Sequence, residues 1–543
     1  PAVLSGRGGI ASILTVRAAA SAGDLSLRAF GVRATPGDAS AGSATRLGNV
    51  RLSVETLKVY DAQIIGMEIS QATQYAAIPR PDPFDPGRAV PYAGVQLVGG
   101  KRTIVRVFAN NARAVPLGGL GAFVLLRAFG RDGKELPGSP LYPIAQPAGP
   151  LPSNGGLDVT DAVRRGNGQA YAFVLPDVGG GASGRGVWPV NAVRLRAEII
   201  GPGDSPSFTR QTLVECSEPR CKANNAFDVT GISWAQMPIL ELWPVQISGQ
   251  RPAPPAPWTV FKGAEQTLPM SVRVPFSYRV SISDAGVDYS DREDAEDEMM
   301  DRLEDAYDGI AVDGWMPVLV QTATPGVTTG GADWDPSDND QPFAIVNGGG
   351  TRPLSSVAHE LSHALGRPHA GQSCNGTRPG DDQEGEAWPP DDMGFLNGYG
   401  LDAAAVTFGP GPTILASTPA QVWTDYMSYC NVFTGDPFTW ISPRNWDAIV
   451  SKYRFGTFPS RPRAAGATAP VLRVGTLVSG ATGSIAYVRR GTARTLRGAA
   501  TPYRAEARDA GGALLAQTAL VGRELTEGAG GRLVLRGDLA LVD

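Results

Sequence analysis

A chain of 543 residues, 42% apolar and 19% charged, has the make-up of a globular protein and the length for about three or four domains, each with its own core. No stretch approaches the roughly 18 uninterrupted apolar residues of a spanning helix, which argues against a membrane-embedded protein. The net charge of −5, from 48 basic against 53 acidic residues, gives no general reason to expect a nucleic-acid partner.

Residues 1–58 read as an N-terminal β module. Alternating apolar runs, Ile13-Leu14-Thr15-Val16-Arg17 and Leu25-Ser26-Leu27-Arg28-Ala29-Phe30, are separated by Gly, Ser and Pro clusters, the pattern of strands and turns. The chain opens on Pro1 with neither an initiator Met nor a basic-then-apolar leader, which is compatible with a processed signal peptide and says nothing further on export. The same texture continues through 59–236, with strands predicted at Arg102–Phe108, Ala122–Phe129 and Ala192–Ile200 and no repeat of fixed period. A β-sandwich is the expectation. The stretch Val98–Phe108 resembles a strand opening common in immunoglobulin-like modules of bacterial surface and secreted proteins.

The texture changes around the Pro-rich run Pro252–Pro257, and residues 237–460 are predicted to form a mixed α/β domain. Ser290 is placed to cap a helix whose first turn, Asp291 to Asp294, carries the acids that its dipole favours. Ala295, Met299, Leu303, Ala306 and Ile310 recur at three- and four-residue steps and define its buried face. Its other face reads as solvated acid, since twelve Asp or Glu from Asp284 to Asp308 meet only Arg292 and Arg302. Strands follow at Met316–Thr322 and Phe343–Val346, then a helix from about Leu354 and a long loop. A last helix opens at Ser442-Pro443, turns Trp446, Ile449, Val450 and Tyr453 inward, and ends near Gly456. Beyond Pro459–Pro462 the strand pattern returns, clearest at Val471–Val478 and Arg532–Val542, and implies a C-terminal β domain over 465–543.

The chemistry concentrates in His359-Glu360-Leu361-Ser362-His363-Ala364-Leu365-Gly366-Arg367-Pro368-His369. Residues four apart share a helix face, so His359 and His363 can present imidazole nitrogens to one metal ion with Glu360 beside them. Gly366 can take the positive φ that ends the helix, and Pro368 stiffens the return that brings in His369 as a third ligand. Three histidines leave a position open on zinc, and a carboxylate next to it can act as general base for peptide hydrolysis. The competing view, an amphipathic helix with incidental histidines, has to explain why all three histidines of the chain fall into this one HExxHxxGxxH spacing.

This segment resembles the metzincin metallopeptidases at all five defining positions, over about Met237 to Pro459. Asp425-Tyr426-Met427-Ser428-Tyr429 resembles their Met-containing turn, which implies Met427 as an apolar floor under the metal. Tyr429 matches the tyrosine that in astacin-like and serralysin-like members binds the metal at rest and stabilises the oxyanion. The branch stays open: Ala370 stands where astacins have Glu, and the calcium repeats of serralysins are absent. Pro219-Arg220-Cys221 is similar to the inhibitory segment of matrix metallopeptidases, but Lys222 breaks that pattern and Cys216 makes a local disulfide the better reading. Cys374 and Cys430 are expected to pair because each lies just beyond an element that meets the metal, and two bridges fit an oxidising compartment.

Acidic loops at Asp333, Asp335, Asp338 and Asp340, and again from Asp381 to Asp392, are compatible with calcium, with plain solvation, or with a cleft that favours basic substrate residues. The expectation is thus a multidomain secreted zinc endopeptidase, an α/β metzincin-like catalytic domain flanked by all-β immunoglobulin-like sandwiches. Its substrate would be a protein or glycoprotein, paired antiparallel to an edge strand near Phe343–Val346, and its β domains would attach to glycans or cell surfaces. The rivals are a glycoprotein-selective mucinase and an adhesion protein with a vestigial metal site.

Overall fold

The computed structural model describes residues 18–19, 56–112, 123–147, 159–166, 170–176, 188–200, 213–215, 219–278, 280–290, 292–308, 315–322, 330–333, 343–348, 355–371, 387–389, 392–403, 413–417, 422–428, 430, 438–454, 470–479, 482–492, 499–524 and 533–540. The runs at Ile13–Arg17 and Leu25–Phe30, Ile310, Cys216, Cys374, Tyr429 and most of the acidic-loop residues lie outside these. The chain is rich in strands, gathered into several sheets.

The first unit is a sandwich. Strands β1 (Ala62–Ser70), β2 (Ile104–Asn111) and β4 (Ala170–Val174) form one antiparallel sheet, in the order β1-β2-β4. Strands β3 (Phe123–Phe129), β5 (Arg194–Ile200) and β6 (Ala226–Thr230) form the other, with β5 in the middle. Alternate residues meet between the sheets, including Met67, Ile69, Val105, Val107, Leu126, Phe173, Leu195 and Phe227, as period-two patterning requires. The outer face of the first sheet is also buried. There Glu68 receives Arg106 at 3.2 Å and Arg164, from helix α1 (Asp161–Arg165), at 3.0 Å. Burial alone would raise the Glu68 carboxyl, but the two guanidinium groups override it and hold it below the usual range.

The central unit is built on a six-stranded sheet. Strands β7 (Leu240–Ile247), β8 (Val272–Arg273), β9 (Val280–Ile282), β10 (Met316–Gln321) and β12 (Phe343–Asn347) run parallel, and only β11 (Gly330–Asp333) is antiparallel. Its inner strands Met316–Gln321 and Phe343–Asn347 are buried at every position because both faces are covered. Leu242, Val318, Val320, Ala344 and Val346 face helix α4 (Ser355–Ala364), while Trp243, Val245, Leu319, Phe343 and Ile345 face helix α3 (Arg292–Asp308). Two expectations change here. Phe343–Val346 is an inner strand, paired on both sides by β10 and β11, so the edge is Gly330–Asp333. The acidic face of α3 is not solvated either: Glu296, Glu298, Asp301 and Glu304 are all buried.

The C-terminal sheet covers that face. It has five antiparallel strands, including β13 (Pro470–Ser479) and β14 (Leu533–Ala540), and among the described residues it is a single sheet rather than a sandwich. Arg473 on β13 and Arg536 on β14 reach down to α3. Arg473 bonds Asp305 and, at 2.7 Å, Asp538, while Arg536 meets Asp301 at 2.7 Å. Carboxylates that look solvated in the sequence are buried because a distant segment brings guanidinium groups to them.

The sandwich and the central unit share structure. Thr73–Tyr75 of the former pairs with Gly398–Asp402 of the latter. Ala72, Val95 and Val98 belong to the same core as helix α4.

Candidate metal centre

Helix α4 enters on Ser355 and buries Val357, Ala358, Leu361, Ala364 and Leu365 in the main core, which turns the opposite flank, with His359 and His363, toward a second element. It stops where the sequence says it should. Gly366 has φ +74°, its N–H bonds the His363 carbonyl at 2.6 Å, and Arg367 N–H bonds the Ser362 carbonyl at 2.9 Å, a Schellman closure that needs a residue at ease in the left-handed region. The chain then doubles back to deliver His369.

The three rings converge. His363 Nε2 lies 3.1 Å from His359 Nε2 and 3.0 Å from His369 Nε2, and one ligand atom from each residue falls within 4.8 Å of the others. His359 Nδ1 is 2.6 Å from the Tyr426 carbonyl oxygen, and His363 Nδ1 is 2.8 Å from that of Arg367. A carbonyl only accepts, so each Nδ1 carries its hydrogen and each Nε2 presents a lone pair. Lone pairs this close repel unless a cation lies between them. Tetrahedral ligands at about 2.0–2.1 Å from zinc stand roughly 3.3–3.4 Å apart, close to what is seen. The donor set therefore fits a metal ion, and the carbonyl contacts are the outer shell such ligands need. All three imidazoles are buried, as is Glu360 at 4% exposure on the same helix.

The floor comes from the turn Thr424–Ser428. Met427 is fully buried against α4, and its carbonyl accepts from Ala370 N–H at 2.9 Å, tying the third ligand's segment to the turn. Ser362 Oγ and Tyr426 OH share a hydrogen bond of 2.8 Å, and burial pushes the Tyr426 phenol far above its ordinary range. Gly394 packs behind this turn, where a Cβ would stand 2.5 Å from the Ser428 side chain. Helix α5 (Pro443–Tyr453) lies beneath. Ser442 caps it, with Pro443 at its first position, and it ends at Tyr453, three residues before the expected Gly456. Lys452 Nζ and Tyr453 OH both bond the Leu365 carbonyl at 3.2 Å, so α5 covers the C-terminus of α4.

Of the residues singled out from the sequence, the structure brings His359, Glu360, His363, Gly366, His369 and Met427 to one place. Cys221 and Cys430 are disulfide-bonded rather than free, with partners outside the described residues. The sequence reading missed Asp425, Asn445 and Arg367. Asp425 is buried, and Asn445 occupies the third position of a helix whose Ser442 cap was evident, a pairing that nothing local announces. No family model matches this chain, and neither a curated protein nor a solved structure matches it.

Proposed function

We propose that this chain is an exported zinc-dependent endopeptidase whose metal is held by His359, His363 and His369 and whose general base is Glu360. The observation that carries the reading is the convergence of three Nε2 atoms, spaced by 3.0 and 3.1 Å, two of them on rings whose Nδ1 faces a carbonyl, beside a buried carboxylate on the same helix. Zinc in such a site polarises a carbonyl and makes water nucleophilic near neutral pH. The chain's own part is to hold the imidazoles as neutral donors, to accept the water's proton on Glu360 and to return it to the leaving amine. Met427 supplies an apolar floor, and Tyr429 is assigned to hydrogen-bond the developing oxyanion. The parallel sheet with α4 on one face, its antiparallel edge strand Gly330–Asp333 and the Met427 turn beneath the histidines support a metzincin-like catalytic domain. An extended substrate would pair with that edge. The disulfide-bonded Cys221 and Cys430 support an oxidising compartment, with Cys216–Cys221 and Cys374–Cys430 as the assigned pairs.

The test is the pair of Glu360→Gln and chelated wild type, assayed on an unfolded protein. Glu360→Gln is expected to keep one zinc per chain and lose about 10²–10⁴-fold in kcat, whereas chelation abolishes turnover and added zinc restores it. Turnover that survives both would end the proposal.

A further inference from the structure

Asp425 has no part in the chemistry just assigned, yet its side chain is 0% exposed within the floor of the metal centre. Oδ1 accepts from Met427 N–H at 2.8 Å and from Asn445 Nδ2 at 2.7 Å, and Oδ2 accepts from Ser442 N–H at 2.8 Å. Burial pushes the carboxyl above its ordinary range, against the pull of these bonds. Keeping a carboxylate there carries a desolvation cost, and its bonds lead to every ligand.

Through Asn445, whose Oδ1 accepts from Arg367 Nε at 2.8 Å, Asp425 holds the residue whose carbonyl orients His363. Through its own turn it holds the Tyr426 carbonyl that orients His359. Through Met427, whose N–H it receives and whose carbonyl bonds Ala370 N–H, it holds the segment that ends on His369. Helix α5 is locked to the same oxygens at Ser442 and Asn445. We infer that Asp425 is the positioning residue of the metal centre, relaying through Asn445 and Arg367, and that it sets metal affinity by fixing the carbonyls on which His359 and His363 lean.

This rests on the metal reading above, so the readouts are metal binding and histidine environment rather than turnover. Full-length wild type, Asp425→Asn, Arg367→Ala and Arg367→Lys are titrated with zinc against a chromophoric chelator, with urea unfolding of each metal-free form as the control. Asp425→Asn puts an amide donor against a backbone donor and is expected to weaken zinc binding about 100-fold; Arg367→Ala, which removes the relay to Asn445 from a half-buried loop, about 10-fold. Arg367→Lys, which keeps an N–H donor, should recover most of that loss. Because the chain has three histidines, all in the site, its imidazole ¹H–¹⁵N spectrum reports on the centre alone. The His363 Nδ1–H signal should shift in Arg367→Ala while that of His359 stays. A purely structural role predicts lower metal-free stability with unchanged zinc affinity and unchanged imidazole signals, and that result overturns the inference. Should Asp425→Asn fail to fold, Arg367→Ala decides alone, and wild-type affinity in that variant is likewise fatal. Wild type that binds no zinc would bring down the metal reading and this inference together, which separates the two failures.

Discussion

The central sheet is covered on two sides by β structure, and the two seams are built from different physics. On the sandwich side the core of the central unit runs into the first unit, which also keeps a core of its own. Ala72, Val95 and Val98 pack with Leu361, Tyr426 and Trp446, Trp440 Nε1 bonds the Ala72 carbonyl at 2.8 Å, Trp446 Nε1 bonds that of Gln96 at 2.8 Å, and Tyr75 OH donates to Asp447 at 2.6 Å. On the C-terminal side no described residue of the last sheet joins a core of the central unit, and buried ion pairs between Arg473, Arg536 and the acids of α3 link the two. A shared core cannot be divided without exposing apolar surface and orphaning its hydrogen bonds. Ion-pair docking divides cleanly but leaves buried charge behind.

Removing whole bodies should therefore show the largest contrast. A fragment of residues 237–460 is expected not to fold cooperatively, because it lacks Ala72, Val95 and Val98 from the core that supports α4. A fragment ending at 460 but keeping the sandwich should fold, at reduced stability, with its three-histidine site intact. Urea unfolding and zinc titration of the two compare the seams directly. Cooperative unfolding of 237–460 alone would show that the sandwich is an accessory.

Single residues sharpen the same contrast. Arg536, 3% exposed, pairs with Asp301 at 0% and lies 4.0 Å from Glu304, so Arg536→Ala removes a buried positive charge from between buried acids and should cost about 3–5 kcal/mol in urea unfolding at pH 7. Replacing both partners, Arg536→Met with Asp301→Leu, should recover most of that loss, since neither charge is then stranded. A double variant no better than the single one would mean that packing, not charge, holds this seam.

What could be read in advance was whatever repeats over a few residues. Met299, Leu303 and Ala306 of the apolar stripe lie on the inward side of α3, Ser442 caps α5, and the histidine spacing places three rings together, because helix geometry alone fixes such relations. What failed depended on partners far along the chain. The acids of α3 looked solvated because Arg473 lies 168 residues from Asp305, and no period links them. Asp425 looked like an ordinary turn residue because its meaning comes from Ser442 and Asn445, 17 and 20 residues later. The edge strand was misplaced because Gly330–Asp333 has no apolar alternation and exists as a strand only by pairing with β12.

The smallest expected effect belongs to Lys101, where the sandwich seam behaves like the charged one. Its side chain is buried, Nζ donates to the Glu265 carbonyl at 2.5 Å at the end of helix α2 (Lys262–Thr267), and it sits 6.0 Å over the Trp446 ring. Burial pulls its pKa down from 10.5 to about 7, against the weaker pull of Glu265. The folded chain then gives up this proton near pH 7, while the unfolded chain keeps it until about pH 10.4, the free-lysine value. Between those values the unfolded state binds the extra proton, so this residue makes stability rise with pH. Tyrosines such as Tyr75, Tyr92 and Tyr453, whose pKa values are all raised, act in the opposite direction only once the unfolded chain's phenols ionise near pH 10, so the useful window is pH 7 to 9.5. Lys452, lowered to about 8, adds to the rise in both proteins and cancels in the difference. Lys101→Met keeps the apolar stem in the seam and cannot titrate. Urea unfolding at pH 7 and pH 9.5 should show wild-type stability gaining on the variant as pH rises, with the variant the more stable of the two at pH 7. Equal pH slopes in the two proteins would place the Lys101 ammonium in contact with water and return this seam to a purely apolar one.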